Sequence, residues 1–215
     1  MKIDGEHIFP GPRAKVWEMI RDPEALAKAL PGTETLTKLS ENEYEGTMNV
    51  RIGPVAGTFS GKVLISDEVS PESCTLSAEG KGAQGFAKGV GRIHLTDGGD
   101  GTTLMTYEGE VQIGGKLASV GQRSIDSVSK SMIRQGLLAL NQALEARMAA
   151  EAEGKEEAKY TPPTEVEFAA AVAKDVAKDV VTGATKSPEA RIMMFIVPVI
   201  AVLLLIAFIA SQCQG

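Results

Sequence analysis

The sequence predicts an α+β domain in which a strongly curved antiparallel sheet wraps one long closing helix, followed by a tether and a single membrane-spanning segment. Three observations predict it. The apolar period drops from about 3.6 residues to about 2 beyond residue 40 and returns to about 3.6 beyond residue 116. Twenty of the 23 glycines fall between Gly5 and Gly136, many of them inside the alternating segments rather than at turns. Nineteen consecutive residues, Ile192 to Ala210, carry no charge, amide or hydroxyl.

The elements follow in chain order. After an opening strand, PRAKVWEMI reads as a helix with Pro12 suited to its first turn and Val16, Trp17 and Ile20 at helical spacing. Asp22-Pro23 ends it. A second short helix, EALAKAL, runs into the turn-forming pair Pro31-Gly32. Tyr44, Gly46, Met48, Val50 and Ile52 then alternate with polar residues, as do Gly57, Phe59, Gly61, Val63 and Ile65, the pattern of half-buried antiparallel strands. Further strands are expected at Cys74 to Lys81, Val90 to Thr96 and Thr102 to Ile113, with a hairpin turn over Asp97 to Gly101. Glycines inside strands mark places where a sheet bends or leaves room beside its face, which is why the sheet is expected to be curved.

A helix from about Lys116 to Ala150 closes the domain, with Leu117, Val120, Ile125, Val128, Met132, Leu137, Leu140, Leu144 and Met148 as its apolar stripe. Residues 1–149 are therefore expected to form one domain. Residues 150–190 read as a charged linker, in which Phe168, Val172, Val176 and Val180 at four-residue steps predict a short amphipathic helix over 165–182. Residues 191–211 are expected to be a tail anchor. At about 1.5 Å per residue the apolar run covers roughly 28 Å, close to the ~30 Å hydrocarbon core of a bilayer. MKIDGEHIF lacks the apolar stretch of a secretory signal, so the expected arrangement is a cytoplasmic N-terminal domain held at the cell membrane by one C-terminal pass.

Before residue 150 there are 16 Lys or Arg against 19 Asp or Glu, and no basic cluster of the kind nucleic acid requires. Cys74 and Cys213 are far apart, one of them beyond the expected span, so no disulfide is expected. His7 and His94 have no Cys or carboxylate at metal-ligand spacing, and no nucleotide loop, nucleophile elbow or CxxC is present. Glu108 and Glu110 alternate with the apolar face of their strand and are expected to face solvent. No catalytic residue, metal site or covalent cofactor is expected, and the chain reads as a binder rather than an enzyme.

Three segments carry a resemblance. Leu30-Pro31-Gly32, the glycine-spaced strand pair Val50-Arg-Ile-Gly-Pro-Val-Ala-Gly-Thr-Phe-Ser-Gly-Lys62 and the opening Gly114-Gly-Lys-Leu-Ala-Ser-Val-Gly-Gln-Arg123 resemble the carbon monoxide dehydrogenase G-subunit family, in the START-like helix-grip superfamily, over about residues 1–149. The resemblance implies a sheet of about seven strands gripping a long helix around an apolar cavity. It also implies association with molybdenum hydroxylases such as carbon monoxide dehydrogenase. A fold of this kind does not itself name a substrate.

The expected function joins cavity to tether. A quinone tail costs about 0.8 kcal/mol per exposed CH₂, so a soluble enzyme does not reach a quinone held in lipid. A tethered apolar pocket would present a respiratory quinone, menaquinone or ubiquinone, to a molybdenum-containing dehydrogenase. The expected ligand contacts are Met48, Phe59, Phe86, Met105, Tyr107, Val111, Ile125, Val128 and Met132, with Tyr107 placed to hydrogen-bond a carbonyl. For each of them ordinary core packing is the alternative. At the level of the whole protein the alternatives are a ligand-free recruitment factor for the dehydrogenase, and an enzyme on a lipophilic substrate that would need His94 or Glu108 to point inward.

Overall fold

The computed structural model describes residues 1–29, 32–52, 55–154, 160, 161 and 163–185. Seven strands form one antiparallel, curved sheet: β1 (Lys2–Phe9), β2 (Thr33–Lys38), β3 (Glu43–Ile52), β4 (Val55–Val69), β5 (Ser73–Gly82), β6 (Gly85–Asp97) and β7 (Thr103–Gly114). Their order across the sheet is β1-β7-β6-β5-β4-β3-β2, so the first strand pairs with the last and β1 and β2 are the two edges. The helices are α1 (Arg13–Ile20), α2 (Pro23–Ala29), α3 (Gln122–Ala152) and α4 (Glu165–Thr185), with a 3-10 turn over Gly115–Val120.

Local chemistry sets the helix ends. Pro12 stands one place before the first turn of α1 as its cap, and its carbonyl accepts from the Lys15 and Val16 amides. Asp22 separates α1 from α2 and caps the latter, its Oδ1 accepting from the amides of Glu24 (2.9 Å) and Ala25 (3.3 Å). Its other oxygen takes Arg147 of α3 at 3.1 Å, so one carboxylate ties the start of one helix to the end of another. The helix expected from about residue 116 starts later. Gly121 has φ +92°, a conformation left to glycine, and it separates the 3-10 turn from α3 proper. Strand β2 is an addition to the elements read from the pattern, and β6 begins five residues earlier than expected. The turn after β6 is held by Asp97 and Asp100, whose carboxylates accept from the Gly99 and Thr102 amides.

The core lies at one end of the sheet. Phe9, Val16, Trp17, Met19, Tyr44, Ile65, Cys74, Leu95, Met105, Leu137, Ala139, Leu140 and Leu144 form one buried cluster, which joins α1 and the C-terminal half of α3 to the strand ends beneath them. Thr103, fully buried, donates its hydroxyl to the Gly11 carbonyl at 2.7 Å. Around this end Arg13–Glu72 and Arg21–Glu68 fasten α1 and its end to the β4–β5 hairpin, and Lys15–Glu151 fastens α1 to α3.

Two compact units divide the chain at Met1–Ala173 and Lys174–Gly215. Helix α4 contains the expected amphipathic segment and opens with a capping box, in which Glu167 Oε2 accepts from the Thr164 amide and hydroxyl while Thr164 Oγ1 accepts from the Glu167 amide. The expected anchor over 191–211, with its apolar run, and Cys213 lie outside the described residues. Among those residues no helix is long and apolar enough to cross a membrane.

Candidate ligand cavity

Where the core stops, the concave side of the sheet is hollow. A cavity of about 650 Å³ lies against β3 to β7, bounded by Ile3 of β1, Thr33, Thr35 and Leu36 of β2 and Ile133 of α3. Strand alternation decides which side chains face it. Read across the sheet, one inward row is Gly46, Gly61, Gly80 and Ala87; the next is Tyr44, Val63, Ala78, Gly89 and Val111; the third is Ile65, Leu76, Gly91, Gly109 and Ile3. Six glycines and two alanines therefore occupy places that would otherwise hold core side chains. The hollow exists because those side chains are missing, while the backbones keep normal pairing.

Hydrocarbon dominates the rest of the wall, from Met48, Phe59, Val63, Leu76, Ile93, Met105 and Val111, while the polar residues that border it, Thr47, Ser60, Lys62, Glu79, Lys88, Arg92 and Glu108, alternate with the inward rows and belong to the convex face. Two tyrosines bring hydroxyls. Tyr44 is buried and donates to the Arg21 carbonyl at 2.9 Å, so its polar end is satisfied away from the cavity. Tyr107 of β7 is the register partner of Gly5 on β1, with its ring and hydroxyl laid over the bare glycine backbone. Its hydroxyl has no hydrogen bond among the described residues. Burial is the main cause that raises its pKa, reinforced by Asp4 and opposed by Arg134, so it stays a neutral donor throughout the physiological range.

Five of the nine expected contact residues, Met48, Phe59, Met105, Tyr107 and Val111, line this cavity, and four do not. Phe86 departs from expectation most clearly. The tight turn between Gly82 and Gly85 sets the parity of β6 so that Ala87, Gly89 and Gly91 face inward, and Phe86 lies on the convex face, 48% exposed, with its ring over Gly114. Ile125 is buried outside the main core cluster, and Val128 and Met132 are half-buried; Ile133, one position on, is the α3 residue that reaches the cavity. Leu36, Val63, Leu76 and Ile93 were not among the expected contacts, although the parity that selects Phe59 also selects Val63. His94, Glu108 and Glu110 are exposed on the convex side. Among the described residues no three His, Cys, Asp or Glu come together in a group able to hold a metal ion.

The sequence profile of the carbon monoxide dehydrogenase G-subunit (CoxG) family matches residues 5–145. The chain belongs to that family. The match spans β2 to β7, all but the first three residues of β1 and most of α3, the elements that enclose the cavity. No curated protein matches the chain significantly. Solved structures repeat the architecture. A conserved protein from Geobacillus kaustophilus is 28% identical with a TM-score of 0.65, over 67% of this chain and 95% of that one. A START superfamily protein from Mycobacterium smegmatis is 12% identical with a TM-score of 0.52, over 67% and 97%. An aromatase/cyclase, Zhui, from a Streptomyces species is 13% identical with a TM-score of 0.52, over 70% and 97%. At such identities the last two show the fold alone. Membership of the CoxG family and the START-like fold together suggest a hydrophobic-ligand-binding role for the cavity.

Proposed function

We propose that the domain is a carrier that takes a respiratory quinone from the membrane into its cavity and presents it to a molybdenum-containing dehydrogenase, without itself catalysing a reaction. One observation carries the proposal: a hollow of about 650 Å³ with an almost purely hydrocarbon wall and one unengaged hydroxyl, that of Tyr107. That volume falls within the roughly 300–1,000 Å³ of ordinary ligand pockets. An isoprenoid quinone matches the chemistry, since its tail needs dry surface and its carbonyl accepts one hydrogen bond. Met48 and Met105 give the wall adaptable side chains. The apolar run 192–210 would act as the tether, keeping the domain at high effective concentration beside both the lipid and the enzyme it serves.

The test is a lipid extraction of the full-length chain, purified from membranes and examined by native mass spectrometry. Wild type is expected to hold one quinone per chain. A Cβ at Gly80 would meet the Ser60 carbonyl oxygen at 3.9 Å, an ordinary contact, and nothing nearer, so Gly80→Leu is the substitution that starts into the cavity with the least obstruction. It should lower retained quinone about tenfold or more, the size expected from about 1–3 kcal/mol of overpacking. Ala78→Leu, on the neighbouring row, serves as the second filling variant. If both variants fold, retain no ligand and still support full quinone-coupled turnover of the dehydrogenase, the carrier reading fails and the recruitment reading replaces it.

A further inference from the structure

Net charge conceals a strong polarity along the strands. Residues 10–24, 38–45, 66–73, 97–103 and 141–154 gather at the core end and hold five Lys or Arg against fourteen Asp or Glu. Basic side chains there are engaged: Arg13 with Glu72, Lys15 with Glu18 and Glu151, Arg21 with Glu68, and Arg147 with Asp22. The cavity end is the reverse. Residues 79–90 and 110–126 hold four bases, Lys81, Lys88, Lys116 and Arg123, against Glu79, Glu110 and Asp126, and Glu110, the register partner of Val90, is itself paired with Lys2 at 4.0 Å. All four are exposed and none forms a salt bridge among the described residues. Glu79 is opposite Lys88 across the β5–β6 ladder, and Asp126 accepts from Gln122 at 2.9 Å.

Three of these bases, Lys81, Lys88 and Lys116, lie beside an exposed apolar group. Phe86 and Lys81 are register partners on the convex face, Lys88 is two residues along, and the 3-10 turn bearing Lys116 is joined to the β5–β6 turn by the Leu117 amide donating to the Gln84 carbonyl at 2.9 Å. Val90, 52% exposed, extends the apolar strip. Arg123 is the second residue of α3, whose first turn has no acidic residue and no side-chain cap, so its positive dipole end adds to the same field. An aromatic ring among unpaired lysines is the composition of an interfacial membrane contact. An acidic outer end on the same molecule would be repelled by the surface that attracts this one.

We propose that the cavity end of the domain is a docking face for an anionic bilayer, with Lys81, Lys88 and Lys116 as its charged contacts around Phe86 and Arg123 adding charge from the start of α3. This rests on the reading of the cavity as a site loaded from lipid, and it fixes which end meets the lipid. Full-length chain reconstituted through its apolar tail into vesicles of phosphatidylcholine alone or of a phosphatidylcholine–phosphatidylglycerol mixture, both free of quinone, tests it at low and high salt, with docking of the domain read as headgroup quenching of a fluorophore at Ser119→Cys in a Cys213→Ser background. Wild type should dock preferentially on the anionic vesicles at low salt and lose that preference at high salt. With about fivefold in the docked-to-undocked ratio expected for each basic residue at an anionic surface, K81Q/K88Q/K116Q should lower that ratio about a hundredfold on anionic vesicles and leave it unchanged on neutral ones. The triple Lys→Arg variant should dock as wild type does, which separates charge from misfolding. Gly80→Leu should also dock as wild type, so that loss of ligand and loss of docking are read apart. Equal docking of wild type on the two vesicles, or of wild type and the glutamine variant on the anionic one, overturns the proposal; in either case an acidic protein surface becomes the better match for these lysines.

Discussion

Gly61 and Gly80 are register partners on the inner face and differ in what surrounds them. A methyl group on Gly61 would collide with the Glu79 carbonyl oxygen, whereas one on Gly80 has free space. Gly61→Ala is therefore expected to cost about 1–3 kcal/mol in urea unfolding. Gly80→Ala is expected to be neutral, or to stabilise by up to about 1 kcal/mol through the reduced freedom of the unfolded chain. Equal effects at the two sites would mean that the curvature of the sheet differs from that described. Alternation alone located Met48, Phe59, Met105, Tyr107 and Val111 on the correct face. It misplaced Phe86 because from Gly82 to Gly89 the inward positions are Gly, Gly, Ala and Gly, which leave no apolar alternation to read, and the one large side chain of that stretch points outward.

At the level of elements, α3 has two different halves. Leu137, Ala139, Leu140 and Leu144 of its second half belong to the core, whereas in its first half Ile125, Ser131 and Gly136 are buried and none of them is part of the core cluster. Leu144→Ala should cost about 2–5 kcal/mol. Ile133→Ala should cost less, since that side chain already faces unfilled space, yet it should weaken ligand retention. Hydrogen exchange should show the amides of 122–134 opening more readily than those of 137–148 and slowing when quinone is added; uniform protection along α3 without ligand would contradict this division. The long helix was legible from its stripe, but its start was not, because the stripe includes Leu117 and Val120 and hides the interruption at Gly121. Strand β2 was missed for a related reason: TETLTK has a single apolar side chain, as suits a short edge strand, and so shows no period.

At the largest scale described, one end of the sheet domain is solid and acidic and the other is hollow and basic. The sequence conceals this separation, because each antiparallel strand carries its charges from one end to the other and back, and only the paired topology sorts them. Fold class and family were legible because they depend on period, glycine content and a few local motifs. A cavity whose inner wall lacks side chains forgoes contacts that a guest would supply, so a bound quinone should raise the melting temperature of wild type by several degrees. At a hundredfold excess over Kd, binding linkage is worth about 2.7 kcal/mol. Gly80→Leu should show no such rise. The way the hollow is made also limits how inheritance can alter it. Backbone carbonyls crowd Gly46, Gly61 and Gly109, so a lineage favouring a smaller guest has few codons open to it, and the one for Gly80 offers the least obstructed route.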